Sequence, residues 1–271
     1  MRVLTWNVWG RNGPWETRQA AIAKVLSAEQ PDVVCLQEAW IAEDDSTQAA
    51  QLAETLGLHH VDADRHERAR RPPGSPSRST IGNAVLSRWP IASAETLWLP
   101  RRDGGLPYRT LLAVQVDAPG GRLPVHCTHL DWQYDASAAR VAQVQAIARY
   151  IGTHRGDPAS SHPPVLAGDL NAVPDADEIR LLTGRTAVPV PGLVFQDAWE
   201  VAGETGPGLT WTRSNPYCVD AAWPERRLDY VLVGWPRPRP LGNPVACRVV
   251  GTDAVGGVQP SDHYAVVADL A

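Results

Sequence analysis

Apolar positions along this 271-residue chain recur with two periods, and the switches between them mark out its elements. Arg2 to Val8 reads as a short strand. From Glu16 to Gln30 the apolar Ala20, Ile22, Ala23, Val25 and Leu26 fall at helical spacing, and Pro31-Asp32 stops the run. Val33 to Glu38 then reads as a buried strand ending in a carboxylate. Thr47 to Leu56 predicts a second helix, closed by Gly57. Strands are expected at Ile81–Ser87, Ile91–Leu97, Tyr108–Val116 and Arg122–Leu130, with Gly120-Gly121 as a hairpin turn between the last two. The longest helix is expected from about Ala136 to His154, with Val141, Val144, Ile147, Ala148 and Ile151 on one face. Pro164–Ala167 is a further strand. Asp175 and Glu178 have the spacing of a capping box opening a short helix through Leu182. The late strands are Leu228–Val233, Val245–Val250 and Tyr264–Leu270, and Pro236 to Pro244 is a proline-rich connection.

No internal repeat and no linker divides the chain, so one domain over residues 1–271 is expected. Hydrophobic residues make up 44% and charged residues 20%, which is too apolar for a disordered chain. No apolar run approaches the roughly 20 residues of a membrane helix, so no integral membrane segment is expected. A formal net charge of -5 argues against a protein that coats DNA, but not against an enzyme with a local basic rim. Met1 leads straight into a strand without a signal-peptide core. Cys35, Cys127, Cys218 and Cys247 form no Cys-x-x-Cys pair and read as buried thiols of a reducing compartment. A cytoplasmic monomer is therefore expected.

The chemistry-bearing groups gather directly after apolar strands. They stand in Thr5-Trp6-Asn7, Leu36-Gln37-Glu38, Thr128-His129-Leu130, Gly168-Asp169-Leu170-Asn171, Leu228-Asp229-Tyr230 and Ser261-Asp262-His263. A carboxylate at the end of a buried strand is costly unless it is paired or binds a cation. Several acids with two Asn and two His suggest one shared site. Oxygen ligands suit Mg²⁺ or Mn²⁺ better than Zn²⁺.

The ordered series Asn7, Glu38, His129, Asp169-x-Asn171, Asp229 and Asp262-His263 resembles the endonuclease/exonuclease/phosphatase family, the deoxyribonuclease I-like superfamily of metal-dependent phosphoesterases. Single segments such as Ser-Asp-His are common; the ordered set spans essentially the whole chain. The resemblance implies an α+β fold, a four-layer α-β-β-α sandwich of two packed mixed β-sheets with the site at one rim. It implies metal binding by Glu38, Asn7, Asp262 and Asp169, with Glu38 the principal ligand. Asp169 would orient or deprotonate the attacking water. His263 would be the catalytic histidine and Asp229 its partner, fixing the ring tautomer. Asn171 and His129 would donate to phosphate oxygens. Asn7 would orient the metal or a phosphate oxygen, and Arg109 would contact phosphate through its fork of donors.

The implied reaction is attack of water on a phosphodiester, most directly of nucleic acid or nucleotides. The alternative is a sphingomyelinase-like phosphodiesterase, or a phosphatase of a lipid or sugar head group. A third reading is a binding module that kept the fold and lost activity, but every expected catalytic position holds a competent residue. Trp9 stands where abasic-site endonucleases carry an acid, and His129 where they carry Asn, which argues against that role. Asn7-Val8-Trp9-Gly10 and Gln37-Glu38-Ala39-Trp40 are similar to neutral sphingomyelinase segments, yet no long apolar hairpin for gripping a bilayer is visible. Ala172-Val173-Pro174 lacks the arginine of inositol phosphatases. Trp9, Trp40 and Trp132 are candidates either for stacking on substrate or for packing. Arg65, Arg68, Arg70, Arg71 and Arg78 form a loop that could follow a phosphate backbone or simply be solvated.

Overall fold

The computed structural model describes residues 1–64, 80–157, 159–235 and 241–271. The arginine loop from Arg65 to Arg78 and most of the proline-rich connection lie outside the described residues. The strands are β1 (Arg2–Asn7), β2 (Val33–Ile41), β3 (His59–Asp62), β4 (Thr80–Ser87), β5 (Ile91–Trp98), β6 (Thr110–Ala118), β7 (Gly121–His129), β8 (Val165–Asp169), β9 (Phe195–Asp197), β10 (Asp229–Gly234), β11 (Pro244–Val250) and β12 (Ala265–Leu270). The helices are α1 (Trp15–Glu29), α2 (Gln48–Leu56), α3 (Ser137–His154), α4 (Asp177–Leu182) and α5 (Ala198–Ala202).

The strands form two six-stranded sheets, ordered β11-β12-β1-β2-β4-β3 and β5-β6-β7-β8-β10-β9. Each sheet has one parallel pair near its centre. β1 and β2 run parallel, joined through α1; β7 and β8 run parallel, joined through α3. A parallel connection must cross over the sheet, and a helix supplies the crossover. The remaining pairings are antiparallel.

Strand alternation builds three apolar layers. In β2, Val33 and Cys35 face the second sheet, while Val34 and Leu36 face outward under α1 and α2 with Ile22, Leu26 and Leu52. In β8 and β10, Val165, Ala167, Val231 and Val233 point into the space between the sheets. Leu166, Tyr230 and Leu232 point the other way, against Val144, Ile147, Ile151 and Ile179 of α3 and α4. Strands buried on both faces read as unbroken apolar runs rather than as alternation. The result is the four-layer α-β-β-α sandwich.

Three local features differ from the sequence reading. The edge strands β3 and β9 and the one-turn α5, at three to five residues, are too short to show a period. The capping box at α4 does not form: the N-cap is Ala176, without a side-chain cap. Glu178 instead takes a 2.7 Å bond from Arg140 Nε, both side chains being buried. A buried guanidinium competes better for that carboxylate than a backbone amide does. Glu38 does not end its strand either. The pairing of β2 with β4 shifts register between Leu36 and Ala39, and Glu38 at φ 55° lies in that irregularity. The strand then resumes to Ile41.

Candidate active site

The site lies where the two parallel pairs end. Asn7 closes β1, Glu38 sits at the bulge of β2, His129 closes β7 and Asp169 closes β8. Asp169 is in register with His129 on one side and with Asp229, the first residue of β10, on the other. Three chemical groups therefore stand at one level across three adjacent strands. Asp262 and His263 stand one residue before β12, which pairs with β1 on the side opposite β2.

This close seating depends on Gly168. A β-carbon there would come within 1.9 Å of the Thr128 carbonyl oxygen, which no side chain permits. Glu38, Asn171 and Trp9 all hold left-handed backbone angles, φ 55°, 49° and 58°. Non-glycine residues adopt this region at a cost of about 1 kcal/mol or more, and such strain clusters at functional sites. Here it accompanies Glu38 and Asn171 lining one cleft and Trp9 packing on Tyr217.

Asn7, Glu38, His129, Asp169, Asn171, Asp262 and His263 all line this cleft. Asn7 Nδ2 donates to Asp169 Oδ2 at 3.1 Å and to Glu38 Oε1 at 3.3 Å. His263 Nδ1 is 2.8 Å from Asp229 Oδ2, and its Nε2 lies 3.8 Å from Asp169 Oδ2. His129 Nε2 is 3.4 Å from the same Asp169 oxygen. The Asn171 backbone N–H donates to Asp169 Oδ1 at 2.9 Å, and its side-chain Nδ2 to the Leu130 carbonyl at 3.2 Å. Arg109 stands apart: it does not line the cleft, and its Nε lies 3.7 Å from buried Asp131.

Burial and charge set the protonation of these groups. Burial alone would strip the proton from His263, but the surrounding carboxylates Asp229, Asp169 and Asp262 outweigh it and hold the ring's pKa well above 6.5. Burial, with Arg109 and His263 nearby, drives His129 well below its usual value, so that ring is neutral. Asp169 is pushed up to about 6 by burial and by Asp229, against the pull of His263 and Asn7. Asp262 is pushed up to about 7 by burial, with Glu38 adding to the push and His263 opposing it.

Buried carboxylates held above their usual range are costly to ionise without a cation beside them, and the donor set here fits a hard divalent one. Asp169, Asp229 and His263 offer ligand atoms all within 4.8 Å of one another and could hold an ion. Glu38 and Asp262 line the same cleft, each with a single 3.3 Å side-chain hydrogen bond among the described residues, from Asn7 and Ser261 respectively. The first grouping has a competing use, because Asp229 already holds His263 Nδ1. The second leaves both carboxylates available.

Sequence reasoning missed the residues that fix this geometry. Arg18, buried beneath the site, donates to the carbonyls of Val8, Gly10, Asn12 and Pro260. Ser261 Oγ donates to the Asn7 carbonyl at 2.7 Å, and Trp6 Nε1 to the His263 carbonyl at 2.9 Å. Arg140 donates to the carbonyls of Asp131 and Gln133, shaping the loop after His129. Trp132, Tyr134, Trp211, Trp223, Arg226 and Leu228 complete the cleft wall. Of the tryptophans singled out, Trp132 is exposed at the cleft, Trp40 is buried, and Trp9 packs on Tyr217 at 4.6 Å. The advance signal was the eleven tryptophans of the sequence, a count that does not say which rings stay outside.

The model of the Endonuclease/Exonuclease/phosphatase family matches residues 4–263. The chain belongs to this family. Its members hydrolyse phosphoester bonds with the help of a metal, and this protein is a hydrolase of that kind. Among solved structures, an endonuclease/exonuclease/phosphatase from Beutenbergia cavernae is 32% identical at TM-score 0.69, covering 100% of this chain and 71% of that one. TDP2 of D. rerio complexed with single strand DNA product has 19% identity and TM-score 0.76, covering 99% and 97% of the two chains. A mannosyl-6-phosphatase of Bacteroides thetaiotaomicron has 18% identity and TM-score 0.73, covering 100% and 99%. The latter two likenesses concern the fold. A search of curated proteins found no significant match. Among the described residues, no helix is long and apolar enough to cross a membrane.

Proposed function

We propose that this enzyme is a Mg²⁺- or Mn²⁺-dependent phosphodiesterase acting on nucleic acid or nucleotides. The observation that carries this reading is the pairing of His263 with Asp229 at 2.8 Å, with Asp169 and Asn7 on the open side of the ring. Glu38 and Asp262 would hold the cation, with Asn7 and Asp169 beside them. When bound, the ion would neutralise charge that builds on the phosphoryl and leaving oxygens.

The chain's own groups have separate tasks. Asp169, raised toward neutrality, orients water and accepts its proton. His263, kept protonated by its carboxylate neighbours, donates Nε2–H to a phosphoryl oxygen. Asp229 holds the ring in place and stabilises its charge. His129 and Asn171 supply neutral donors to the same oxygens. Oriented donors of this kind are typically worth about 3–4 kcal/mol each when deleted. Arg109, paired with Asp131, would reach substrate phosphate only after giving up that contact.

A substrate panel with Mg²⁺ tests the reading: plasmid DNA, single-stranded DNA, RNA, bis-p-nitrophenyl phosphate, sphingomyelin and a sugar phosphate. Cleavage of polynucleotides and of the aryl diester is expected. Release of choline phosphate or of inorganic phosphate from the sugar ester, with nucleic acids untouched, would replace it with the head-group reading.

A further inference from the structure

Arg226 lines the cleft beside Asp169 and His263, but it is bound unlike its sequence neighbour. Arg227 Nη1 makes a 2.7 Å ion pair with buried Asp197 and is spent on structure. Among the described residues, Arg226 has no carboxylate at ion-pair distance, and its Nε is buried without a hydrogen-bond partner. Its guanidinium lies over two rings instead, 5.4 Å from Tyr134 and 5.5 Å from Trp211. The adjacent acid, Glu225, takes the Arg213 amide at 2.9 Å and the Thr212 hydroxyl. Burial lowers the pKa of Arg226, so the site bears a desolvation cost that an anion would offset.

The rings next to it are open. Trp223 stacks on Tyr134 at 4.9 Å with planes 12° apart, yet Tyr134 is 54% exposed and Trp223 43%. Trp132, also in the cleft wall, is 57% exposed. Large apolar faces left in water beside a cleft, flanked by an unpaired cation, match the two components of a nucleotide strand: bases that stack and phosphates that pair.

We propose that Arg226 and the rings of Tyr134, Trp211 and Trp223 form a subsite for the non-scissile phosphate and base next to the bond being cut. The enzyme would thus favour substrates with at least two consecutive phosphates over sugar or lipid monophosphates. The inference rests on the phosphodiesterase reading above. A planar guanidinium held on aromatic faces presents its remaining donors to a phosphate with little entropy left to lose.

Three chromogenic esters with the same leaving group separate the possibilities: bis-p-nitrophenyl phosphate, thymidine 5′-(p-nitrophenyl phosphate), and the same nucleotide carrying a 3′-phosphate. The wild-type kcat/KM is expected to rise about tenfold when the 3′-phosphate is added, as one charge-assisted contact would give. In Arg226→Gln that ratio is expected to fall to about one, with Arg226→Lys in between. Raised ionic strength is expected to shrink the wild-type ratio. A wild-type ratio near one, or a ratio unchanged in Arg226→Gln, would overturn the subsite while hydrolysis of the aryl diester leaves the phosphodiesterase reading standing. No hydrolysis of any ester with Mg²⁺ or Mn²⁺ would overturn both. A wild-type ratio near one overturns the subsite even if Arg226→Gln fails to fold, and the conservative Arg226→Lys then serves as the second variant for a ratio above one.

Discussion

Arg18 donates a 2.9 Å hydrogen bond to the carbonyl of Pro260, 242 residues further along the chain. The same nitrogen donates to Val8 at 3.0 Å. One buried guanidinium thus clasps the loop that follows Asn7 and the loop that leads to Asp262 and His263. It has no carboxylate partner among the described residues; its hydrogen bonds go to backbone carbonyls, and the Trp9 ring lies 5.0 Å from the guanidinium.

Removing that clasp should cost both stability and turnover. Arg18→Leu strands several buried carbonyls, each worth about 1–3 kcal/mol when left unpaired, though relaxation and water will recover part of the sum. A loss of about 3 kcal/mol in urea unfolding is expected. Arg18→Lys, which reaches fewer carbonyls, should fall between. Wild-type stability in Arg18→Leu would show that the loops hold themselves.

His263→Ala should abolish turnover and leave folding intact, because the ring lies at the cleft rather than in an apolar layer. Asp229→Asn should lower kcat by roughly 100-fold or more, since the 2.8 Å contact then no longer stabilises a charged ring. Circular dichroism of both variants should overlay the wild type. Near-normal activity of His263→Ala on the true substrate would refute its role.

Chelation should silence the enzyme. EDTA is expected to remove activity, Mg²⁺ or Mn²⁺ to restore it, and Zn²⁺ to substitute poorly, as an oxygen-rich donor set implies. Glu38→Ala should raise the Mg²⁺ concentration needed for half-maximal rate and lower turnover. Full activity in chelator would contradict the assignment.

Stability should fall in mild acid because of a histidine that does not line the cleft. His126, buried on β7, has its Nδ1 3.0 Å from the Val165 carbonyl, and its Nε2 has no hydrogen-bond partner among the described residues. Burial, with the Val165 bond opposing and His154 adding to the effect, lowers its pKa from 6.5 to about 4. The unfolded chain therefore binds a proton between these values while the folded chain does not. The stabilising effect is full above pH 6.5 and is lost as pH falls toward 4, roughly 3 kcal/mol in all. Unfolding free energies measured at pH 7 and pH 4.5 should differ less in His126→Leu than in the wild type. Equal differences would assign the acid sensitivity to other groups.

The sequence by itself determined the layers and the order of the chemical groups. Side chains two or four residues apart decide whether a segment suits a sheet or a helix, so β1, β2, β7, β8, β10, β12 and α1 to α3 were legible in local period. Asn7, Glu38, His129, Asp169 and Asp229 stood out because a polar group in or at the end of an apolar strand is costly without a partner. Only the tertiary structure decided the rest. Glu38 entered the cleft through a bulge set by the β4 register, Glu178 left its capping position for Arg140, and Arg109 turned to Asp131. Arg18 and Arg226 gained their meaning from what surrounds them: one is enclosed by carbonyls, the other lies among rings with no carboxylate partner among the described residues. Local patterning is written in neighbouring residues. Which carboxylate, carbonyl or ring satisfies a distant cation depends on which loops the fold brings within a few ångströms, and no short stretch of sequence encodes that.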